Sequence, residues 1–342
     1  MIRVLVAEDS HTVRELLVAI LEADPGIEVV ARAATGLEAL QKTVELRPDL
    51  ITMDIHMPGL DGLEATKEIM YRAPTPILIV SAAVSRAAID RSFDAIRAGA
   101  LMQLPTPRNP DTPGFHEDTA RLVSMVKALA GVKVVRLRNQ ANRRGERHAA
   151  PRIARGHAVA VAASTGGPAA LQAVLGGLPR SFAAPVLVVQ HMAPGFVEGL
   201  AQWLAAGCNL RVKVAEAGET IEARTVYLAP DHRHMRVNTD RNIRLHDDAP
   251  IGHHRPSAVA LFESVAESYG AAGVAVILTG MGHDGVAGLR AVRSAGGTII
   301  VQDEKSSVVF GMPGQAIREG LADIVVPLDR IAEEIMMAMA GA

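Results

Sequence analysis

A chain of 342 residues exceeds what one ordinary compact core serves, so two domains are expected. Hydrophobic residues at 49% and charged residues at 21% exclude a disordered chain, and an aromatic share of 3% leaves aliphatic side chains to fill the cores. The single cysteine, Cys208, excludes an internal disulfide framework and fits a reducing compartment, as buried filler rather than as a catalytic thiol.

The first element, IRVLVA at residues 2–7, begins too early to leave room for a secretory leader, and no apolar run is long enough to span a bilayer. A cytoplasmic protein without membrane insertion is therefore expected. Next come a helix near residues 11–23, the strand IEVVARA, a helix near 37–46, and strands in DLITMD, PILIVS and ALMQL. A last helix falls near 115–130. Strand and helix alternating five times predict a parallel, doubly wound sheet over residues 1–125, with its site at the carboxyl ends of the strands.

The net charge of −2 hides a basic stretch: residues 127–155 carry nine Lys or Arg against one acid, Glu146. With no hydrophobic periodicity after Leu137 and no interleaved aromatics, residues 126–154 read as a solvated interdomain linker rather than a nucleic-acid surface. The alternation restarts over residues 155–342 with HAVAVA, APVLVVQ, VAVILTG, GTIIVQD and DIVVP. Shorter strands at about 211–246 are expected as antiparallel additions. The second domain is thus a larger, mostly parallel α/β fold.

Glu8 and Asp9 follow the first strand and Asp54 follows the third, so three carboxylates should converge at one sheet edge. Such crowding calls for a cation, and hard oxygen ligands at a partly open site suit Mg²⁺. Asp54 would then attack a phosphodonor as a carboxylate nucleophile. These residues, with VLVAEDS, MDIHMPGLDG and VSA, resemble the receiver domain of two-component response regulators. The resemblance implies that Asp54 is the phosphoacceptor, that Glu8 and Asp9 help hold Mg²⁺, and that the Ser81 hydroxyl contacts the phosphoryl group. The family's usual aromatic residue and lysine are replaced here by Gln103 and Thr106, which puts the normal phosphorylation switch in question.

In the second domain, HAVAVA runs into ASTGGP and places Ser164 at a turn before a helix, where free N–H groups can stabilise an oxyanion. A helix N-cap is the commoner use of such a serine. A second strand ends at His191 and a third leads to Asp284, so Ser, His and Asp reach the same sheet edge. There His191 can take the Ser164 proton while Asp284 orients the imidazole.

Two rival readings start from neighbouring residues. Gly280 to Gly285 reads GMGHDG and satisfies a dinucleotide-binding pattern after a strand, yet Asp284 would repel the pyrophosphate. His232 and His234 in DHRH, with His246, His253 and His254, lack a full zinc-ligand pattern and read as surface or cleft-wall groups.

The runs ASTGGP, VVQHM, YLAPDHRHM, HRPSAVALFESVA, ILTGMGHDG and VVFGMP resemble the catalytic domain of chemotaxis-specific protein-glutamate methylesterases. The order receiver, linker, esterase matches that family too. The resemblance implies Ser164 as nucleophile, His191 as general base and Asp284 as orienting acid. Thr165 would support the histidine, and the backbone around Met281 would contribute to oxyanion stabilisation. It further implies methyl-accepting chemoreceptor cytoplasmic domains as substrate, glutamine deamidation as a second activity, and a chemotaxis histidine kinase as phosphodonor. It implies, too, that no cofactor serves the ester chemistry and that the receiver restrains access to the esterase cleft until phosphorylated. The alternative of another class is a phosphorylation-dependent docking protein that hydrolyses nothing.

Overall fold

The computed structural model describes residues 1–82, 86–132, 134 and 156–340. The chain divides into two compact units, Met1–Arg144 and Gly145–Ala342. Most of the expected linker, residues 126–154, lies outside the described residues. Residues 126–129 complete a helix of the first unit, because Val126 and Leu129 are fully buried in its core.

In the first unit, β1 (Ile2–Ala7), β2 (Ile27–Ala33), β3 (Leu50–Met53), β4 (Ile77–Ser81) and β5 (Met102–Pro105) form one parallel sheet in the order β2-β1-β3-β4-β5. They alternate with α1 (His11–Glu22), α2 (Gly36–Leu46), α3 (Gly62–Arg72), α4 (Arg86–Arg97) and α5 (Phe115–Leu129). Polar side chains fix three of the helix starts: Ser10, Thr35 and Asp61 each accept a backbone N–H three residues on. Strand order reverses between β1 and β3, which opens a crevice at their carboxyl ends. Gly62 lets α3 start against that crevice, since a Cβ there would lie 1.9 Å from the Asp54 carbonyl oxygen.

The second unit contains, in chain order, β6 (Ala158–Ala163), α6 (Gly167–Gly177), β7 (Val186–Gln190), α7 (Val197–Gly207), β8 (Arg211–Val214), β9 (Thr225–Leu228), β10 (His234–Val237) and β11 (Ile243–His246). There follow α8 (Ala258–Tyr269), β12 (Gly273–Ile277), α9 (Val286–Ser294), β13 (Thr298–Gln302), α10 (Met312–Arg318), β14 (Ile324–Val326) and α11 (Ile331–Ala340). Seven strands make a parallel sheet in the order β14-β13-β12-β6-β7-β9-β8. The expected antiparallel additions are corrected in part: β8 and β9 join the main sheet in parallel, and only β10 and β11 form an antiparallel pair. Strand direction is set by the connection, and residues 215–224 carry the chain back to the same end of the sheet before β9 begins.

β6 occupies the middle of this sheet and is buried throughout. Its small side chains let helices approach closely: Ala158, Ala160 and Ala162 pack in one cluster with Leu261 and Phe262 of α8, Leu289 of α9 and Met312 of α10. Phe262 is fully buried, and cutting it to alanine would cost about 3–5 kcal/mol. The chain leaves β6 toward β7 on one side and has β12 on the other, so the reversal point of strand order lies where β6, β7 and β12 end. No helix among the described residues is long and apolar enough to cross a membrane.

Candidate active site and phosphoacceptor pocket

Three strand ends deliver the residues expected at the larger site. Ser164 follows β6 and is 8% exposed, His191 follows β7, and Asp284 lies seven residues beyond β12 at 5% exposure. The backbone ties the three turns together: Ser164 N–H donates to Thr279 O (3.0 Å) and His191 N–H to Ala163 O (3.0 Å). Gly280 must lack a side chain, because a Cβ would sit 2.8 Å from Ser164 Cβ and 2.6 Å from Met312 Sδ. Gly166, at φ 76°, turns the chain from Ser164 into α6, where Pro168 occupies the first turn.

His191 Nε2 lies 2.9 Å from Asp284 Oδ2. Asp284 also accepts from Ser257 Oγ (2.6 Å, at Oδ1) and from the Ala258 N–H at the start of α8 (2.7 Å, at Oδ2). Burial opposes its charge, but the hydrogen bond and charge of His191, with the Ser257 and Ala258 donors, outweigh burial and hold its pKa at about 2. An ionised Asp284 can only accept, so the proton between them belongs to Nε2 and the lone pair of the neutral ring to Nδ1. His191 Nδ1 is buried and has no hydrogen-bond partner. The ring thus uses its nitrogens in the opposite sense to the serine-protease triad, in which Nδ1 faces the aspartate.

Two residues that sequence reasoning did not name, Gln190 and Ser257, and one it read only as a surface or cleft-wall group, His254, complete this site. Gln190 Nε2 donates to both Ser164 O and His191 O at 2.8 Å, clamping the nucleophile turn to the base turn. Ser257 holds the acid, as given above. His254 stacks on His191, and burial, followed by the neighbouring His191, lowers its pKa to about 4 against the opposing pull of Asp284. A cavity of about 550 Å³ opens beside this pair, lined among others by Ile251, His253, His254, His283 and Asp284.

Thr165 is fully buried, with its carbonyl accepting Thr279 Oγ1 (2.9 Å), and Met281 stands 41% exposed at the rim of the loop after β12. The dinucleotide pattern has local structural causes. Asp284 is engaged by His191, Gly280 is crowded by Ser164 and Met312, Gly282 sits at φ 84°, and a Cβ on Gly285 would press on Phe262 at 3.0 Å. His234 is buried in hydrogen bonds with Ala249 O and the Ser257 N–H, as a cleft-wall residue. The only metal-competent group among the described residues is Glu8, Asp9 and Asp54. Cys208 is half-buried rather than fully buried, and burial pushes its thiol pKa up.

In the first unit the ligand oxygens of Glu8, Asp9 and Asp54 lie within 4.8 Å of one another. Burial, followed by the Asp54 charge, pushes Glu8 up to about 8, with Asp9 adding to the rise and the Ser10 N–H opposing it. Among the described residues no Lys or Arg side chain pairs with these carboxylates, and Arg14 instead donates to the Glu8 and Asp9 carbonyl oxygens. A hard divalent cation fits such a cluster, since it would supply the missing positive charge. Ser81 is buried at the end of β4, and its carbonyl accepts the Thr106 N–H at 3.2 Å. The Gln103 side chain is 5% exposed, and both its amide atoms lack partners.

A parallel five-stranded domain with an acidic pocket, joined to an α/β domain with Ser, His and Asp at adjoining strand ends, defines a response regulator with a hydrolase output domain. The chain matches the response regulator receiver domain over residues 4–111 and the CheB methylesterase family over residues 159–335. It is 50% identical to protein-glutamate methylesterase/protein-glutamine glutaminase 4 of Myxococcus xanthus, over 99% of this chain and 98% of that protein. It is also 50% identical to the corresponding protein 3 of Anaeromyxobacter dehalogenans, over 98% of this chain and 99% of that one. The crystal structure of the Thermotoga maritima CheB methylesterase catalytic domain superposes with a TM-score of 0.52 at 40% identity, covering 54% of this chain and 99% of that one. The chain belongs to the CheB methylesterase family.

Proposed function

We propose that this protein removes methyl groups from glutamate γ-methyl esters on the cytoplasmic domains of methyl-accepting chemoreceptors, and deamidates certain receptor glutamines, under control of phosphorylation at Asp54. The observation that carries this reading is the His191–Asp284 hydrogen bond, which leaves Nδ1 as the ring's proton-accepting atom where β6 and β7 end together. Ser164 Oγ attacks the γ-carbonyl carbon as its proton passes to His191 Nδ1, and the ionised Asp284 stabilises the resulting imidazolium. Backbone N–H groups at the start of α6 and around Met281 stabilise the oxyanion, and Thr165 supports the histidine. His191 then returns the proton to the leaving group, which departs as methanol or ammonia. Water attacks the acyl-enzyme in the reverse sense and restores Ser164.

In the receiver, residues 1–125, Glu8, Asp9 and Asp54 would hold Mg²⁺, which supplies neutralising charge to a transferring phosphoryl group. Asp54 accepts the group from a chemotaxis histidine kinase, and the Ser81 hydroxyl contacts its oxygens. The chain beyond α5 joins this domain to the esterase, residues 155–342, and both act in the cytoplasm. The test is methanol release from methylated receptor membranes, with and without a small phosphodonor and with Ser164→Ala as control. Release that survives Ser164→Ala would remove the triad reading. Phosphodonor-dependent receptor binding without any release would favour the docking alternative.

A further inference from the structure

Asp284 is useful to its histidine only while it stays ionised and keeps one oxygen aimed at Nε2. A carboxylate on a short side chain can turn about its own axis, and the bond to His191 alone does not prevent this. Two further donors do. Oδ2 is shared between His191 Nε2 and the Ala258 N–H, while Oδ1 takes the Ser257 hydroxyl at 2.6 Å. The Ser257 hydroxyl has no other use for its proton: its oxygen already accepts the Val259 N–H (3.2 Å) as the N-cap of α8. Ser257 is itself fixed from behind. Its N–H donates to His234 Nδ1 (3.2 Å), and His234 Nε2 donates to Ala249 O (3.1 Å), so the His234 ring is neutral and in one tautomer. Ser257 is fully buried and His234 is 1% exposed, so no water competes for these bonds.

We infer that Ser257 is a positioning residue of the esterase: anchored by His234, its hydroxyl pins Asp284 in one rotamer and thereby keeps the His191 proton on Nε2 and the base lone pair on Nδ1. The inference rests on the esterase reading above. Ser257 does not touch the nucleophile, so its effect reaches the reaction only through Asp284 and His191. A plain helix cap would behave differently, since losing it weakens α8 without altering the tautomer of a histidine on another strand.

The experiment measures methanol release by the full chain and the ¹⁵N shifts of His191 in the wild type, Ser257→Ala, Ser257→Gly and Ser257→Thr. Alanine and glycine both remove the donor, but glycine is tolerated at an N-cap far better than alanine. Both variants should lose about 10- to 100-fold in kcat, as expected for a hydrogen bond to a charged group, with KM within about twofold of wild type. Their His191 signals should move from the Nε2–H form toward a mixture of tautomers. Threonine, which keeps the hydroxyl, should restore rate and spectrum. If Ser257→Gly folds, turns over at the wild-type rate and leaves the His191 spectrum unchanged, Ser257 is a cap and nothing more. Absence of methanol release from the wild type, or its persistence in Ser164→Ala, would overturn the esterase reading instead.

Discussion

His254 lies flat on His191, with ring centroids 4.0 Å apart and planes within 5° of parallel. The upper ring is held neutral at working pH by burial and by its neighbour, so it packs against the base without adding charge to it. His254→Phe should keep a flat partner and retain activity within about threefold, whereas His254→Ala should lose about tenfold through a looser base, by analogy with the loss of an aromatic contact. Steady-state methanol release checks both, and an alanine variant as fast as wild type would remove any role for the stack.

The same histidine sets an acid limit on stability. Its folded pKa of about 4 lies below the unfolded value of 6.5, so between these limits the unfolded chain binds more protons and stability falls as pH drops from 6.5 to 4. Asp284 acts in a lower window: its pKa, depressed from 3.8 to about 2, contributes stability above 3.8 that is lost as pH falls through 2. Thermal unfolding of the esterase unit followed against pH should show the first slope flattened in His254→Phe and the second unchanged.

Substitutions in the catalytic set itself should act on kcat. Ser164→Ala removes the attacking oxygen and little volume, so hydrolysis should vanish while the fold persists. Asp284→Asn should lose on the order of 10⁴-fold, as in serine proteases, because an amide can stabilise neither the imidazolium nor the required tautomer. An unimpaired Asp284→Asn enzyme would return the loop after β12 to a purely structural role.

Gln190→Glu offers a nearly isosteric test of the clamp between the two turns. The amide donates to two carbonyl oxygens, and a carboxylate would meet the same oxygens as an acceptor. Activity should fall at least about tenfold, the scale of an unsatisfied buried polar group. Wild-type rates at unchanged melting temperature would show that the turns hold their spacing unaided.

In the receiver, phosphorylation of Asp54 in the presence of Mg²⁺ should survive the departures at Gln103 and Thr106, while its coupling to the esterase should be weak. No Lys or Arg among the described residues pairs with the three carboxylates, and Thr106 engages Ser81 only through its backbone N–H. A phosphoryl group shifts an equilibrium only by its differential contacts with the two states. The double variant Gln103→Tyr, Thr106→Lys should therefore be stimulated more by a phosphodonor than the native chain. Equal stimulation of the two proteins would mean that another residue performs the lysine's task.

Much of this was legible in the sequence because a parallel sheet places its chemistry at strand ends. Once β6, β7 and β12 could be read as strands, Ser164, His191 and Asp284 had to meet at one edge. The direction of β8 and β9 was not legible, since four-residue strands carry no mark of polarity and the connection decides it. Ser257 reads locally as the cap of α8, and its second bond crosses 27 positions to Asp284. His254 reads as one of five histidines scattered between residues 232 and 254, and its stack on His191 arises only in the folded cleft. Gln190 stands next to His191 in the chain, so a polar residue closing an apolar strand was the one available signal.

The recessed position of Ser164, 8% exposed at the foot of its turn, also decides what kind of acyl group it can meet. The proton acceptor, His191 Nδ1, is buried as well. A main-chain peptide bond within a folded helix cannot descend to that depth without unwinding. A glutamyl ester can, because its carbonyl rides at the end of a slender, freely turning stalk. A recessed serine of this kind is therefore better suited to an acyl group carried on a side chain than to one in the main chain of a helix.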